Sequence, residues 1–402
     1  MSGDGEQVGV AARALLPEMV ALRRDLHAHP ELGNQLPRTR ERVLEALRPL
    51  AARGLELELS QATSSVLATL RGARPGRCLL LRADMDALPM PEDTGLDYAS
   101  REPGAMHACG HDAHTAMLVG AAQLLAERRG ELAGEVKLLF QSGEEGHFGA
   151  KLCLDEGLLE HGRPPDAAFA LHVDPRLPVG RLASRAGALM ASADVFRVAV
   201  KGRGGHASMP HHAADPIPAA CEIVLGLQTM VTRRIHAQDP VVITTTKLRA
   251  GTTDNVIPET AKLLGTIRAT SERGRQLAEE GIHRVAYGVA QAHGVEAEVE
   301  VDHGYPVTVN DAGFFEWVRG VVGERLGPRS FVEMPTPIMG AEDFSYLLQR
   351  WPGALFFLGA REPDASDPAP AHSNRMRIAE DAMAVGAAVH AGLALRFLSG
   401  GG

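Results

Sequence analysis

The stretch HTAMLVGAAQLLAERRG, residues 114–130, decides the fold. Its apolar residues recur at helical spacing, and basic residues and a glycine close it, which predicts an amphipathic helix. On either side of it, residues 78–81 and 136–140 form short, continuous apolar runs. Strands that are buried on both faces have such runs. A strand, a helix and a second strand at this spacing predict a crossover unit of a mostly parallel sheet.

Two kinds of hydrophobic pattern occur along the rest of the chain, continuous apolar runs and segments in which apolar and polar residues alternate. Buried runs at 167–171 and 353–360 extend the parallel sheet, and an amphipathic helix follows the second of them. Between these runs, three segments alternate apolar and polar residues and are rich in Val, Thr and Ile, which favours an antiparallel sheet. These segments are 195–204, 241–251 and 261–270.

Chain length and the change in hydrophobic pattern together predict the domain organisation. A chain of 402 residues is too long for one ordinary core. We therefore predict an α/β protein with a catalytic domain made of residues 1–186 and 302–402. A smaller α+β domain, residues 187–301, interrupts it.

Composition excludes several classes of protein. Hydrophobic residues make up 45% of the chain and charged residues 23%, as in soluble globular proteins. The net charge is −9 and no basic stripe is present, so nucleic acid is not an expected partner. The N-terminal segment does not resemble a secretory signal, and no apolar run reaches the roughly 18 residues of a membrane span. We expect a cytoplasmic protein with no membrane partner.

Four cysteines are scattered without a paired framework, so disulfides are not expected. Cys78, Cys153 and Cys221 are predicted to be small core residues. Only Cys109 lies among other reactive side chains, in MHACGHDAHT, residues 106–115.

Polar residues follow the predicted strands at the points where the strands end. Asp84 and Asp86 follow the first strand, Glu144 and Glu145 the second, and His172 the third. Sites in open α/β sheets form beyond the carboxyl ends of the strands, so these residues should converge. The segment 106–115 and the loop after residues 353–360 should reach the same edge.

Five side chains at this edge are of the kinds that bind metals. They are Cys109, His111, Glu145, His172 and His372. A catalytic zinc ion needs only three protein ligands, so five predict two metal ions that activate a shared water. Glu144 is then suited to be the general base, which takes the proton of the attacking water and returns it to the leaving amine.

Other polar residues near this edge allow two interpretations. Asp84 and Asp86 either cap turns or orient a ligand histidine. His107 and His114 are either ligands or structural residues, and His27 is interpreted as structural. The glycine-rich segment at 202–206 follows no crossover pattern and is a weak candidate for a phosphate loop.

Eight segments, in order, resemble a known family. They are RRDLHAHPELG (23–33), LRADMDALPMPEDTGLDYAS (81–100), MHACGHDAHTAMLVGAAQLL (106–125), QSGEEGHFGAKLCLDEGLLE (141–160), VKGRGGHASMPHHAADPI (200–217), TTDNVIPETAKLLGTIRA (252–269), MGAEDFSYLL (339–348) and AHSNRMRI (371–378). They resemble the aminoacylase and hippurate hydrolase family of metal-dependent amidohydrolases, which includes hydrolases of indole-acetyl amino acids. The resemblance covers residues 23–395.

The resemblance implies a zinc-exopeptidase-like catalytic domain, interrupted by a lid domain that often forms a dimer contact. The five residues named above fall on the family's metal ligands, and Glu144 falls on its catalytic base. Asp86 matches an aspartate beside the metals. His206 matches a lid histidine that stabilises the tetrahedral intermediate, in some members in a neighbouring subunit's site. Asn255 and Arg268 match lid positions associated with substrate binding, and a guanidinium suits a carboxylate.

Two segments depart from the family pattern. Many relatives have a proline before the glutamate pair, whereas this chain has Ser142 and Gly143. Residues 34–42 read NQLPRTRER, where an acidic stretch is common. Neither departure involves a proposed ligand, so they bear on loop shape near the substrate and on specificity.

The expected reaction is hydrolysis of an N-acyl amino acid by two divalent metal ions. Thiolate ligation favours zinc, and manganese or cobalt also suits histidine and carboxylate ligands. A dipeptidase or carboxypeptidase would use the same groups with an extra acid for the substrate amine, for which Glu342 and Asp343 are candidates. Two further alternatives are a thiol nucleophile at Cys109, with His111 or His107 as its base, and a catalytically inactive metabolite binder.

Overall fold

A computed structural model describes residues 3–399 of the chain. The α-helices in this part are α1 (Gly3–Ala14), α2 (Leu16–Ala28), α3 (Pro37–Leu47), α4 (His111–Glu127), α5 (Gly149–Asp155), α6 (Pro216–Arg234), α7 (Glu272–His293), α8 (Ala312–Leu326), α9 (Phe344–Arg350) and α10 (Ala382–Leu398).

The strands follow the same numbering along the chain. They are β1 (Leu55–Leu59), β2 (Val66–Arg71), β3 (Arg74–Asp84), β4 (Ala133–Gln141), β5 (Ala167–Pro178), β6 (Leu182–Ser184), β7 (Gly187–Met190), β8 (Asp194–Lys201), β9 (Gly205–His206), β10 (Val241–Ala250), β11 (Val256–Ile257), β12 (Thr260–Ala269), β13 (Glu296–Asp302), β14 (Thr308–Asn310), β15 (Phe331–Glu333) and β16 (Gly353–Arg361).

The largest sheet has eight strands in the order β1-β2-β4-β3-β5-β16-β6-β15. Its centre, β4-β3-β5-β16, is parallel throughout. Antiparallel pairs lie nearer the edges, between β1 and β2, β2 and β4, and β16 and β6. The predicted crossover from β3 through α4 to β4 is confirmed. It places the carboxyl ends of the four central strands along one edge of the sheet.

Helix α4 is buried on all sides rather than amphipathic. Among its residues only Glu127 is exposed and Gln123 is half-buried. Helices α2 and α10 pack against α4, which in turn packs on β3, so few of its positions face solvent. The helix also begins three residues earlier than predicted, at His111, and ends before the basic residues that follow it.

Two compact units make up the chain. The first contains the described residues up to Gly187, together with Val309–Pro335 and the residues from Tyr346 onward. Its core is built from the central strands and the helices packed on them.

The second unit comprises Ala188–Thr308 and Thr336–Ser345. It contains an antiparallel sheet in the order β10-β12-β8-β13, with α6 and α7 packed on it. The unit is larger than the predicted insertion at 187–301. Thr336–Ser345 joins it because the Ala191 N–H donates to the carbonyl of Ile338, whose own N–H donates to Leu189.

The cysteines are all free, as expected, but one prediction about them is wrong. Cys78 and Cys153 are buried, whereas Cys221 is exposed. Helix α6 buries Ala219, Ala220 and Ile223, and Cys221 falls between them on the outward face. No helix in residues 3–399 combines the length and the apolar character that crossing a membrane requires.

Candidate metal centre

Many of the predicted site residues lie near the ends of the central strands. Asp84 is the last residue of β3, and Glu144 and Glu145 follow the end of β4 closely. His172 lies within β5 rather than after it. The strand continues past His172 because the next residue, Val173, still pairs with β16, and His172 itself pairs with Phe357, so its ring projects from a fixed position in the sheet.

Gly110 separates Cys109 from His111 and controls how both enter the site. It has φ +85, and a Cβ atom there would lie 2.4 Å from Cγ2 of Val173 in β5. Only glycine tolerates both conditions. The chain can therefore turn sharply against β5, place the Cys109 thiol at the sheet edge and begin α4 with His111.

Three of the resulting groups of metal-binding side chains consist only of predicted ligands and the predicted base, and in each of them the ligand atoms lie within 4.8 Å of one another. The groups are Cys109 with His111 and His172, Cys109 with Glu145 and His372, and His111 with Glu144 and Glu145. All five predicted ligands and the predicted base thus lie together. Cys109, His111 and Glu145 each belong to two of these groups, so the groups overlap.

Two ligand imidazoles are oriented by backbone carbonyl groups. His111 Nδ1 donates to the Asp86 carbonyl at 2.8 Å, and His172 Nδ1 donates to the Val173 carbonyl at 2.8 Å. A carbonyl can only accept, so Nδ1 carries the hydrogen, and in the neutral ring Nε2 presents its lone pair. His111 Nε2 and Glu145 Oε1 are buried without a hydrogen-bond partner among the described residues. A cation would satisfy both atoms, so the donor set fits a metal.

The surroundings of Cys109 favour its thiolate. Burial raises the pKa of the Cys109 thiol, but the neighbouring His172 and His111 outweigh burial and lower that pKa to about 6. The sulfur lies 3.3 Å from His172 Nε2. The thiolate is the form of cysteine that binds a metal.

His372 reaches the site from a loop. Its N–H donates to the Ala108 carbonyl at 2.7 Å, which places the loop beside Cys109. His372 Nε2 lies 3.3 Å from Glu145 Oε1. The neighbouring Cys109 and Glu145 outweigh burial and raise the pKa of His372 to about 10. With φ +66 and a side chain 56% exposed, it is the least enclosed of the five.

Asp86 holds the segment that carries both glutamates. Its two carboxylate oxygens accept the N–H groups of Glu144 at 2.9 Å and Glu145 at 3.0 Å. The hydrogen bond that orients His111 comes instead from the Asp86 main chain. Of the two interpretations of Asp86, the structure thus shows a turn anchor whose own carbonyl orients a ligand histidine.

Asp84 orients His114, which is not one of the five predicted ligands. The Asp84 carboxylate accepts from His114 Nδ1 at 2.6 Å and from Arg82 at 2.6 Å. His114 Nε2 accepts the Val173 N–H at 2.8 Å, so this pair ties β3 to β5 beside His172. Burial lowers the pKa of His114 to about 4, which keeps the ring neutral.

Sequence reasoning missed a buried ionic network behind the site. Asp112, the residue after His111, accepts from Arg23 Nε at 2.7 Å and from His27 Nδ1 at 2.8 Å. His27 Nε2 also donates to Glu92 at 3.2 Å. The network ties α2 to the first turn of α4. Its signal in the sequence is the polar segment 23–33, whose charged residues lie on a helix that packs against the core.

His107 is buried beside this network and belongs to none of the three ligand groups. Neither ring nitrogen has a hydrogen-bond partner among the described residues. Burial lowers the pKa of His107 to about 4, so the ring is neutral.

The second unit brings His206 and Asn255 together. His206 in β9 pairs with Val256 in β11, and the Ala207 N–H donates to the Asn255 carbonyl at 3.0 Å. The Ser208 N–H lies 3.1 Å from His206 Nδ1 and can only donate. Nδ1 is therefore an acceptor, and Nε2 of this exposed ring carries the hydrogen.

Arg268 lies on a different sheet of this unit, in β12 opposite Val242. Burial lowers the pKa of its half-buried guanidinium, which makes no hydrogen bond or ion pair within residues 3–399. Glu342 and Asp343 are buried in the same unit, and Glu342 accepts the Phe344 N–H at 2.9 Å.

Three relatives show the range of similar proteins. Thermostable carboxypeptidase 1 of Saccharolobus solfataricus is 38% identical over 94% of this chain and 95% of its own length. The IAA-amino acid hydrolase ILR1-like 2 of Arabidopsis thaliana is 38% identical over 94% of this chain and 85% of its own length. The N-acetylcysteine deacetylase of Bacillus subtilis is 39% identical over 87% of this chain and 90% of its own length.

Solved structures and a family model agree with these relatives. A dinuclear metal binding peptidase of Bacillus subtilis superposes with a TM-score of 0.82 at 34% identity, over 96% of this chain and 99% of the other. The model of peptidase family M20/M25/M40 matches residues 80–396. The predicted relationship to metal-dependent amidohydrolases is thereby confirmed. The chain belongs to peptidase family M20/M25/M40 and is a hydrolase.

Proposed function

We propose that this enzyme hydrolyses the amide bond of N-acyl amino acids and releases a carboxylate and a free amino acid. One observation carries the proposal, namely that Glu144 lies beside two overlapping ligand groups that share Cys109. Two relatives, the N-acetylcysteine deacetylase and the IAA-amino acid hydrolase, are named for acylated amino acids, which supports this substrate class.

Two divalent cations would be held by the five ligands. Bound there, they would supply the positive charge that makes water acidic and polarises an amide carbonyl. The thiolate of Cys109 favours zinc, and manganese or cobalt suits the remaining nitrogen and oxygen ligands.

Glu144 acts as the general base. It accepts a proton from the attacking water and then gives it to the nitrogen of the leaving amine. The N–H groups of Glu144 and Glu145 both bind Asp86, so the base and a metal ligand keep a fixed relation to each other. Asp86 therefore serves catalysis by position.

The second unit supplies groups that contact the substrate. His206 donates a hydrogen bond through Nε2 to the developing oxyanion, in its own site or in that of a neighbouring subunit. The unpaired guanidinium of Arg268 binds the substrate carboxylate, and the Asn255 amide makes a polar contact with the substrate. The unit also serves as the lid and as the contact of a homodimer or larger homo-oligomer, which sedimentation of the purified protein tests.

The same geometry supports a second candidate, a dipeptidase or carboxypeptidase. Thermostable carboxypeptidase 1 supports it, and the buried acids Glu342 and Asp343 would suit a substrate with a free amine. A panel of N-acetyl, N-benzoyl and long-chain N-acyl amino acids, compared with dipeptides, separates the two. Higher kcat/KM for the acylated substrates supports our proposal, and higher kcat/KM for dipeptides replaces it with the second candidate.

A cysteine nucleophile is a further alternative, since Cys109 lies 3.3 Å from His172 Nε2. We expect chelation to abolish activity and added zinc or manganese to restore it, because water is a weak nucleophile near neutral pH without a cation. Full turnover by a chelated protein, together with its inhibition by a thiol alkylating agent, would establish the nucleophile instead. Four free cysteines accord with the reducing cytoplasm that we propose as the compartment.

A further inference from the structure

The segment 143–149, here called the glutamate turn, carries Glu144 and Glu145 between β4 and α5. Two hydrogen bonds close it, from the Gly149 N–H to the Gly143 carbonyl at 3.0 Å and from the Gly146 N–H to the Glu144 carbonyl at 2.8 Å. Gly143 has φ +75, a conformation that glycine adopts without strain. The turn's position therefore depends on what braces it from outside.

Asn34, far away in the sequence, braces the turn on one side. Its Nδ2 donates to the His147 carbonyl at 2.8 Å. Its Oδ1 is buried against Gly143, so that a Cβ atom added there would lie 1.9 Å from it. Asn34 is itself held, because its own carbonyl accepts the Ser64 N–H at 2.8 Å.

Ser65 braces the start of the turn. Its hydroxyl oxygen accepts the Ser142 N–H at 3.0 Å and the Thr63 hydroxyl at 2.8 Å. All three residues are buried, with side chains shielded from water. A proline at position 142 could not donate this hydrogen bond. The two departures from the family pattern, at 142–143 and at 34, thus lie in contact with each other.

We propose that Asn34 and Ser65 are positioning residues that hold the glutamate turn, and with it Glu144, where the base can act on the attacking water. Both residues lie before residue 80, where the match to the family model begins. This inference rests on the proposed function, because it presumes that Glu144 is the base. Groups that hold metal ligands in place commonly change activity or metal affinity by roughly 10- to 100-fold when removed.

The test compares Asn34→Ala with the matched control Gln35→Ala. Gln35 is the next residue and also donates from its side-chain amide to a carbonyl, but to Ala62, outside the turn. For Asn34→Ala we expect kcat to fall roughly tenfold with KM and metal content nearly unchanged. We also expect faster hydrogen exchange in peptides that cover the glutamate turn. Gln35→Ala should show neither effect.

Hydrogen exchange separates this proposal from the proposed function. If the wild-type enzyme hydrolyses none of the substrate panel, the proposed function fails. Hydrogen exchange then still tests the role of Asn34, because unchanged exchange in Asn34→Ala would show that Asn34 does not hold the glutamate turn. If the wild-type enzyme is active, exchange or kcat in Asn34→Ala that matches Gln35→Ala overturns the proposal. Should Asn34→Ala fail to fold, Asn34→Asp replaces it, because it keeps the shape but puts a negatively charged acceptor where the amide donated to the His147 carbonyl.

A double-variant cycle tests the contact with Gly143 directly. Gly143→Ala should lower kcat strongly, because the new methyl group meets Asn34 Oδ1. The same substitution should cost less in the Asn34→Ala background, where that oxygen is gone, although the strain at φ +75 remains. Equal losses in both backgrounds would show that Asn34 does not bear on the turn. Ser65→Ala should resemble Asn34→Ala in exchange and in kcat.

Discussion

The ligand cluster of the first unit and the ribbon formed by β9 and β11 in the second unit hold their histidines in opposite ways. His111 is 1% exposed, and packing together with one hydrogen bond from its Nδ1 to the Asp86 carbonyl fixes the ring. His206 is exposed, and within residues 3–399 its ring forms hydrogen bonds only with Ser208. The cluster is therefore organised by the core, whereas the ribbon is organised by a few local hydrogen bonds.

Substitutions in the ligand cluster and in the ribbon should therefore have different effects. A change in the cluster disturbs buried polar groups, and leaving such groups unpaired costs stability and metal binding. A change at an exposed residue of the ribbon usually alters stability by less than about 0.5 kcal/mol, so its effect should appear in the rate alone. Substitutions in the first and second units can test this difference.

Glu144→Gln should give the largest effect. We expect kcat to fall about 10³-fold, within the range for a lost general base, while metal content stays near that of the wild type. Glutamine keeps the shape and the main-chain hydrogen bond to Asp86. Kinetics and metal analysis check both points. Loss of the metals in this variant, and their retention in Glu145→Gln, would show that the two glutamates have exchanged roles.

His206→Ala should lower kcat about 10²-fold and raise KM only modestly, because an oxyanion donor binds mainly in the transition state. The free energy of unfolding should not change. His211→Ala is the matched control, since His211 is an exposed histidine of the same loop. Equal kinetics in the two variants would remove His206 from the mechanism.

Arg268→Ala should raise KM about tenfold with kcat nearly unchanged, as expected for a charge-assisted hydrogen bond made equally in the ground and transition states. Lys262→Ala is its control, because Lys262 is an exposed cation on the same strand. A fall in kcat at constant KM would instead place Arg268 at the reacting atoms.

The convergence of the candidate ligands could be predicted from the sequence because strand ends meet at one edge of a parallel sheet. Glu144, Glu145 and His372 were located by that rule, and so was His172, although β5 proved longer than its apolar run. The bounds of the second unit were harder to predict from the sequence. Thr336–Ser345 joins that unit through backbone hydrogen bonds, which leave no pattern in the side chains.

The specific hydrogen bonds around the candidate ligands could not be predicted, because the two partners of each bond lie far apart in the sequence. Asp86 anchors Glu144 from 58 positions earlier, and His27 binds Asp112 from 85 positions earlier. Hydrophobic periodicity reports which face of an element is buried, but not which polar group will meet which. His27 was interpreted as structural, and in the structure it binds Asp112 and Glu92. The sequence alone did not identify these two carboxylate partners.

Those partners lead to the smallest expected effect, a pH dependence of stability. Burial lowers the pKa of His27, but Asp112 beside it outweighs burial, so the pKa is raised above its ordinary value. Both ring nitrogens face carboxylates, which only accept when ionised, so His27 is positively charged in the folded protein. A group whose pKa is raised on folding stabilises the protein fully below its unfolded pKa of about 6.5, and this contribution is lost as the pH rises through the folded value.

We therefore expect the difference in unfolding free energy between the wild type and His27→Gln to be largest near pH 6 and to shrink above it. Its size should be on the order of 1 to 2 kcal/mol, the scale of a hydrogen bond to a charged group. Denaturant unfolding at several pH values, at constant metal concentration, measures it. His29→Gln is the control, because His29 ends the same helix but is partly exposed and donates to the Asp25 carbonyl. A difference that grows with pH would show that His27 is neutral when buried, and that Arg23 alone balances the charge of Asp112.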